Sequence, residues 1–109
     1  MDISVSEQDG TSVVSVAGRI DSSNAGEFES PLQELVANGA ANIVLEMSGV
    51  DYMSSVGLRV IVSAMKTLNE KGGHLHLAAI TTPVRGVLLL MGTDLFAIYD
   101  TVDEAIAAF

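Results

Sequence analysis

Apolar and polar residues alternate from the first positions of the chain. Ile3 and Val5 stand between Asp2, Ser4 and Ser6, the period-two pattern of a strand with one wet face. Gln8-Asp9-Gly10 is a hairpin turn signal. Val14 and Val16, interleaved with Ser12 and Ser15, predict a second strand, antiparallel to the first and ending before Gly18. Asp21-Ser22-Ser23-Asn24 then offers a dense cluster of helix-capping residues, and Asn24 with Glu27 has capping-box spacing. A helix is predicted from there to about Val36, stopped by Asn38-Gly39. Pro31 falls inside it, which leaves two options: a kink, or a second segment capped by Ser30 with Pro31 at its first position.

The pattern then changes. Ile43-Val44-Leu45 is a continuous apolar run, expected of a central parallel strand. After Gly49, Ser54 or Ser55 is predicted to cap the next helix, in which Leu58, Ile61, Val62, Met65 and Leu68 fall on one stripe. Ser55, Arg59, Ser63, Lys66 and Glu70 lie on another face, and Gly72-Gly73 ends the helix. Leu75 and Leu77 alternate with His74 and His76 in a fourth strand, whose histidines are expected to be exposed. Thr82-Pro83 starts a third helix with Val84, Val87, Leu88 and Met91 as its buried stripe and Gly92 as its end. Phe96 and Ile98 mark a last short strand, and Thr101-Val102-Asp103-Glu104 is a capping box opening a C-terminal helix that ends near Phe109.

The predicted order is β-β-α-β-α-β-α-β-α. A hairpin followed by strand–helix alternation implies a single α/β domain with a mixed sheet and right-handed crossovers. The polar side of the first, second and fourth strands places the helices mainly on one sheet face and leaves the other face wet.

Composition narrows the function classes. The 109 residues, nearly half of them hydrophobic, suffice for one core. Cysteine is absent, so disulfides and thiolate chemistry are excluded. The longest apolar run, Val87 to Met91, is far short of a membrane span, and a cytoplasmic protein is expected. Fourteen acids face five bases, and the net charge of −9 argues against a nucleic-acid or anionic-membrane partner. No long apolar exposed surface is evident, and a monomer is expected. No ATP-binding motif and no cofactor site is apparent.

The chemistry concentrates in Asp51-Tyr52-Met53-Ser54-Ser55-Val56-Gly57-Leu58-Arg59. Two adjacent hydroxyls stand at the mouth of a helix, where backbone N–H groups and the macrodipole favour negative charge. A phosphate attached there meets a ready-made anion site. Arg59, four residues after Ser55, either pairs with that phosphate or is a solvated residue without a role. A hydrolase elbow needs G-x-S-x-G, but Met53 stands in place of the first glycine and no triad partner is apparent. His74-x-His76 supplies two metal ligands and lacks a third.

Four stretches together resemble the STAS domain of the bacterial anti-sigma-factor antagonist family. Val16-Ala17-Gly18-Arg19-Ile20-Asp21 resembles its G-R-L-D approach to the first helix, and Ile43 to Val50 its L-V-L-D-L-S-x-V strand. Tyr52 to Leu58 resembles its aromatic-aliphatic-D-S-S-G-L loop. Gly72 to Leu77 with Thr82-Pro83-Val84 resembles its later glycines, strand and helix. The family accepts phosphate on the serine after the motif's aspartate, which aligns with Ser55, with Ser54 as the alternative. Here Ser54 occupies the aspartate position, Val56 the second hydroxyl position, and Arg59 a position often held by a small residue.

The resemblance implies partner switching. The unphosphorylated protein would bind an anti-sigma factor that is also a serine kinase of the histidine-kinase-like ATPase type, and phosphorylation would release it. A serine phosphatase would reset the cycle. Met53, Val56 and Gly57 are expected to form the apolar rim of the contact, with Ser54 and Arg59 beside them. The resemblance adds the Asp21, Ser22, Ser23 loop to the partner surface. The alternative is a non-switching STAS module in a transport or sensory scaffold.

Overall fold

The computed structural model describes residues 1–92 and 95–109. Strands β1 (Asp2–Gln8) and β2 (Thr11–Ile20) form the predicted antiparallel hairpin. Asp9 and Gly10 take φ of 54° and 78° at its turn, the left-handed pair that a tight two-residue hairpin requires and glycine supplies without strain. Helix α1 (Ala25–Ala37), strand β3 (Asn42–Met53), helix α2 (Ser55–Glu70) and strand β4 (His74–Ala78) follow. Helix α3 (Thr82–Leu88) runs into a 3-10 turn, Leu89–Met91, and strand β5 (Ala97–Tyr99) and helix α4 (Val102–Ala107) complete the order. The sheet order is β1-β2-β3-β4-β5, antiparallel at the first pair and parallel at the rest. This is the mixed α/β architecture expected from the strand–helix alternation.

Residue alternation divides the sheet into two faces. Val14, Val16, Ile43, Leu45, Leu75 and Leu77 point into the main core beneath α1, α2 and α3. Helix α1 contributes Phe28 and Leu32, α2 contributes Leu58, Ile61 and Leu68, and α3 contributes Val84 and Leu88. The predicted α2 stripe is buried throughout. Pro31 sits inside one continuous helix, so Ser30 does not recap a second segment.

The opposite face is not uniformly wet. Helix α4 lies on it, and Ala105 packs with Val13, Val44 and Ala78 in a second, smaller core. His76 is therefore 7% exposed, against the expectation of an exposed histidine. Its Nδ1–H donates to the Ala105 carbonyl at 2.8 Å, and its ring stacks on Phe109 with centroids 3.8 Å apart. The unbroken run Ile43-Val44-Leu45 carried that signal, since only a doubly covered strand needs Val44 apolar. Wet polar residues do persist at the β1 edge, where Ser4, Ser6 and Gln8 are exposed.

A second correction concerns the end of α3. Met91 is 48% exposed and Leu90 76% exposed, so Met91 is not part of the buried stripe. The helix ends at Leu88, and the tighter 3-10 turn rotates the following side chains off the core. Leu89 and Leu95 are exposed as well, so large apolar side chains do reach the surface here, against the premise on which a monomer was expected. No helix among the described residues is long and apolar enough to cross a membrane.

The β2–β3 pair is longer than its neighbours. Pairing of β3 with β4 stops at Glu46–Ala78, whereas β2 and β3 stay paired to Ile20–Met53. Register shifts after Ser15 and after Gly18 bend this ribbon. Thr81 Oγ1 donates to the Val50 carbonyl at 2.6 Å and ties the start of α3 to it. The ribbon's tip delivers the chain to Ser54 and the start of α2.

Candidate functional site

The turn from β3 into α2 is set by backbone hydrogen bonds. Ser54 is extended (φ −83°, ψ 171°) at the N-cap position. Its N–H donates to the Ile20 carbonyl at 2.9 Å, and its carbonyl accepts from Leu58 N–H at 3.2 Å. The first bond joins the end of β2 to the start of α2, and so places the loop that begins at Asp21 beside the serines.

The two hydroxyl residues part company here. Ser55, the first residue of α2, is exposed. The Ser54 Oγ is buried and has no hydrogen-bond partner among the described residues. Neither serine caps the helix by its side chain: Ser54 holds the cap position but makes no cap bond. The first turn of α2 also contains no acidic residue. The positive end of a sixteen-residue helix thus opens toward an exposed hydroxyl with no acidic residue in the helix's own first turn.

Gly57 and Met53 lie beneath this surface. Met53 is 1% exposed, and Gly57 is buried. A Cβ on Gly57 would stand 2.7 Å from Met53 Cγ and 2.8 Å from Ile20 Cγ2. Gly57 therefore lets the first turn of α2 sit directly on the strand ends, and the expectation that Met53 and Gly57 form a partner-facing rim is corrected. Both support the turn from within. Val56 is half-buried and Arg59 exposed, and both line a groove with Ala25 and Glu29 of α1.

The Asp21 loop is stapled by its own side chains. Asp21 accepts from the Arg19 Nε at 2.9 Å and from the Ser23 N–H at 2.9 Å, and it also takes the Ser23 hydroxyl. The Ser23 hydroxyl, then Arg19, then the Ser23 N–H hold the Asp21 carboxyl below its ordinary range. Asn24 stands at the N-cap of α1, yet its side chain turns back: Oδ1 accepts from Asp21 N–H at 2.9 Å, and Nδ2 donates to the Arg19 carbonyl at 2.7 Å. The predicted capping box with Glu27 is absent because loop bonds occupy the Asn24 amide. Ser22 and Ser23 are exposed.

One element of the surface was not anticipated. The Arg19 guanidinium lies 4.0 Å above the Tyr52 ring, across the β2–β3 register pair Arg19–Tyr52. The pair builds a cationic, aromatic shoulder joined to the Asp21 loop by the Arg19–Asp21 bridge. Neither residue's spacing signals the contact, because it depends on the shift in register after Gly18.

The STAS domain family model matches residues 2–105 of the chain. The protein BtrV of Bordetella bronchiseptica is 32% identical over 110 residues, spanning 100% of this chain and 95% of BtrV. The anti-sigma-F factor antagonist RsfB of Mycobacterium tuberculosis is 28% identical over 107 residues, spanning 95% of this chain and 85% of RsfB. Among solved structures, an anti-sigma factor antagonist from Mycobacterium paratuberculosis matches with a TM-score of 0.89 at 32% identity, over 98% of this chain and 92% of that one. Unphosphorylated SpoIIAA shares the fold, with a TM-score of 0.77 at 16% identity over 98% of this chain and 96% of its own.

Proposed function

Since the chain belongs to the STAS domain family, we propose that it is a cytoplasmic anti-sigma factor antagonist that works by partner switching on Ser55. In its unmodified state it binds an anti-sigma factor that is also a serine kinase of the histidine-kinase-like ATPase type, and a sigma factor is set free. The kinase then transfers the γ-phosphoryl of ATP. The Ser55 oxygen forms the new bond to phosphorus, the bond to the β-phosphate oxygen breaks, ADP leaves, and the hydroxyl proton passes to a base of the kinase. A serine phosphatase reverses the modification with water as the nucleophile.

The observation that carries this reading is the exposed Ser55 at an uncapped helix N-terminus. A phosphoserine adds about −1.5 to −2 charge at neutral pH. At the open first turn of α2 that charge faces free N–H groups and the positive dipole end, worth about 0.3–1 kcal/mol to the folded domain. Arg59, one turn on and exposed, supplies a cation for the same phosphate. Against a closely packed partner the same charge meets desolvation and repulsion, at a cost of several kcal/mol. The modification thus acts on the complex and leaves the fold intact. The buried Ser54 hydroxyl favours Ser55 as the acceptor.

Mass spectrometry after incubation with ATP and the kinase tests the acceptor: phosphate on Ser55 and none on Ser54 is expected. Ser55→Ala should hold the partner permanently, and Ser55→Asp should release it in part. A chain that takes up no phosphate is a non-switching interaction module. Equal affinity of the kinase for the phosphorylated and unphosphorylated protein would end the switch reading.

A further inference from the structure

Helix α2 carries a second apolar strip that the phosphate site does not use. Val56, Val60 and Ala64 recur every fourth residue and turn toward α1. Between the two helices runs a trough of about 310 Å³, floored by Leu32, Val36 and Val60 and walled by Gln33, Ser63 and Ala64. The side chains of Ser63 and Ala64 are too short to fill the space between the helix axes. At its far end Lys71 Nζ donates to the Val36 carbonyl at 3.4 Å. At its near end it continues, through the shared residues Glu29, Val60 and Ser63, into the groove beside Val56 and Arg59.

We propose that this trough seats an amphipathic helix of the anti-sigma partner, inserted while Ser55 is unmodified; the inference rests on the switch reading above. Position is one reason. The open end lies on the first turns of α2, so a partner covering Ser55 extends along α2 into the trough without a break. Charge is the other. Glu29 on α1 and Arg59 on α2 border the open end, and neither is in an ion pair among the described residues. Helix α1 carries Glu27, Glu29 and Glu34 and no base, so the wall beside Glu29 attracts a basic flank. The Arg59 side attracts an acidic one. The occupant is therefore a helix with an apolar ridge, lysine or arginine on its α1 side and aspartate or glutamate on its α2 side. The volume stands at the low end of the ~300–1,000 Å³ of ligand sites, suited to a few apolar side chains entering from a partner.

Such a seat makes Ser55 a gate at the mouth of the contact. A phosphate there changes the charge at the end that the partner helix must cross, and places a dianion beside Arg59, which then turns from the partner's acid to the phosphate.

Isothermal titration of the unphosphorylated protein with its kinase partner tests the proposal. Ser63→Trp fills the trough from an exposed position and should weaken binding about tenfold or more. Ala107→Trp, equally bulky and on the opposite sheet face, should stay within about twofold. Amide spectra of each variant report whether it folds, and Gln33→Arg fills the same space from α1 should Ser63→Trp fail to fold. If the trough variants bind like wild type while phosphorylation of Ser55 still abolishes binding, the trough is not the seat and the switch stands. If phosphorylation leaves binding unchanged, or wild type binds no kinase, the switch fails and this inference with it. Self-association of the protein alone that Ser63→Trp abolishes would make a second copy the occupant, and overturn the proposal.

Discussion

At the residue scale the decisive contrast is between two neighbouring serines. Ser54 gives its backbone to the turn and hides its hydroxyl, whereas Ser55 presents its own to solvent. Gly57 explains how α2 reaches so close to the strand tips. Gly57→Ala should lose about 1–2 kcal/mol in chemical denaturation, because crowding against Ile20 and Met53 outweighs the helix propensity that alanine adds. Asp21 makes a different prediction. Its folded-state carboxyl is held below its ordinary value, so its favourable contribution is present above the unfolded value and is lost as pH falls through the lower, folded one. The Ser23 amide resonance should move in that acid window, and Asp21→Asn should abolish the movement. The pair of hydroxyls at the helix mouth was readable from spacing alone, since a hydroxyl before a helical stripe is a local pattern. The burial of Met53 and Gly57 was not, because it depends on Ile20 arriving from another strand.

At the element scale α2 does three jobs with three faces. Leu58, Ile61, Val62, Met65 and Leu68 hold it to the sheet, Val60 packs toward α1, and Ser55 and Arg59 stay in water. Leu58→Ala should cost about 2–5 kcal/mol, measured by thermal or denaturant unfolding. The 3.6-residue period found the first face readily. It missed Val60 because the second contact exists only once α1 has folded alongside. Helix α4 was predicted from its capping box, and the Thr101 hydroxyl does accept from Glu104 N–H at 3.1 Å. Its docking place was not visible. Phe109→Ala removes the stacking partner of His76 and should speed hydrogen exchange at the Ala105 and Ile106 amides, while amides of α2 keep their protection.

At the scale of the whole molecule the fold brings one turn and the loop beside it to a single end. The ribbon of β2 and β3 outruns the rest of the sheet and carries Asp21, Tyr52 and Ser55 to one end. A net charge of −9 repels other anions and, under the proposed switch, would steer a basic partner toward that end. If the proposed switch holds, association with the kinase should slow as ionic strength rises, a trend that stopped-flow measurements read directly. Phosphorylation adds charge at an open helix end, so amide resonances should shift around Ser55 and the Asp21 loop while those of β1, β4 and α4 stay in place. A general rearrangement would contradict the local electrostatic account.

The order of elements, the hairpin, the mixed sheet and the helix mouth with its hydroxyls can all be read from residue order, because each is written in local spacing: period two, period 3.6, turn residues and caps. Folding in three dimensions sets which hydroxyl faces water, that Asn24 bonds its own loop instead of capping α1, that α4 buries His76, and that Arg19 lies over Tyr52. Each of these joins residues distant in the chain or competing for one partner. Which contact wins is settled by the packing of whole elements, and that packing leaves no periodic trace in the sequence.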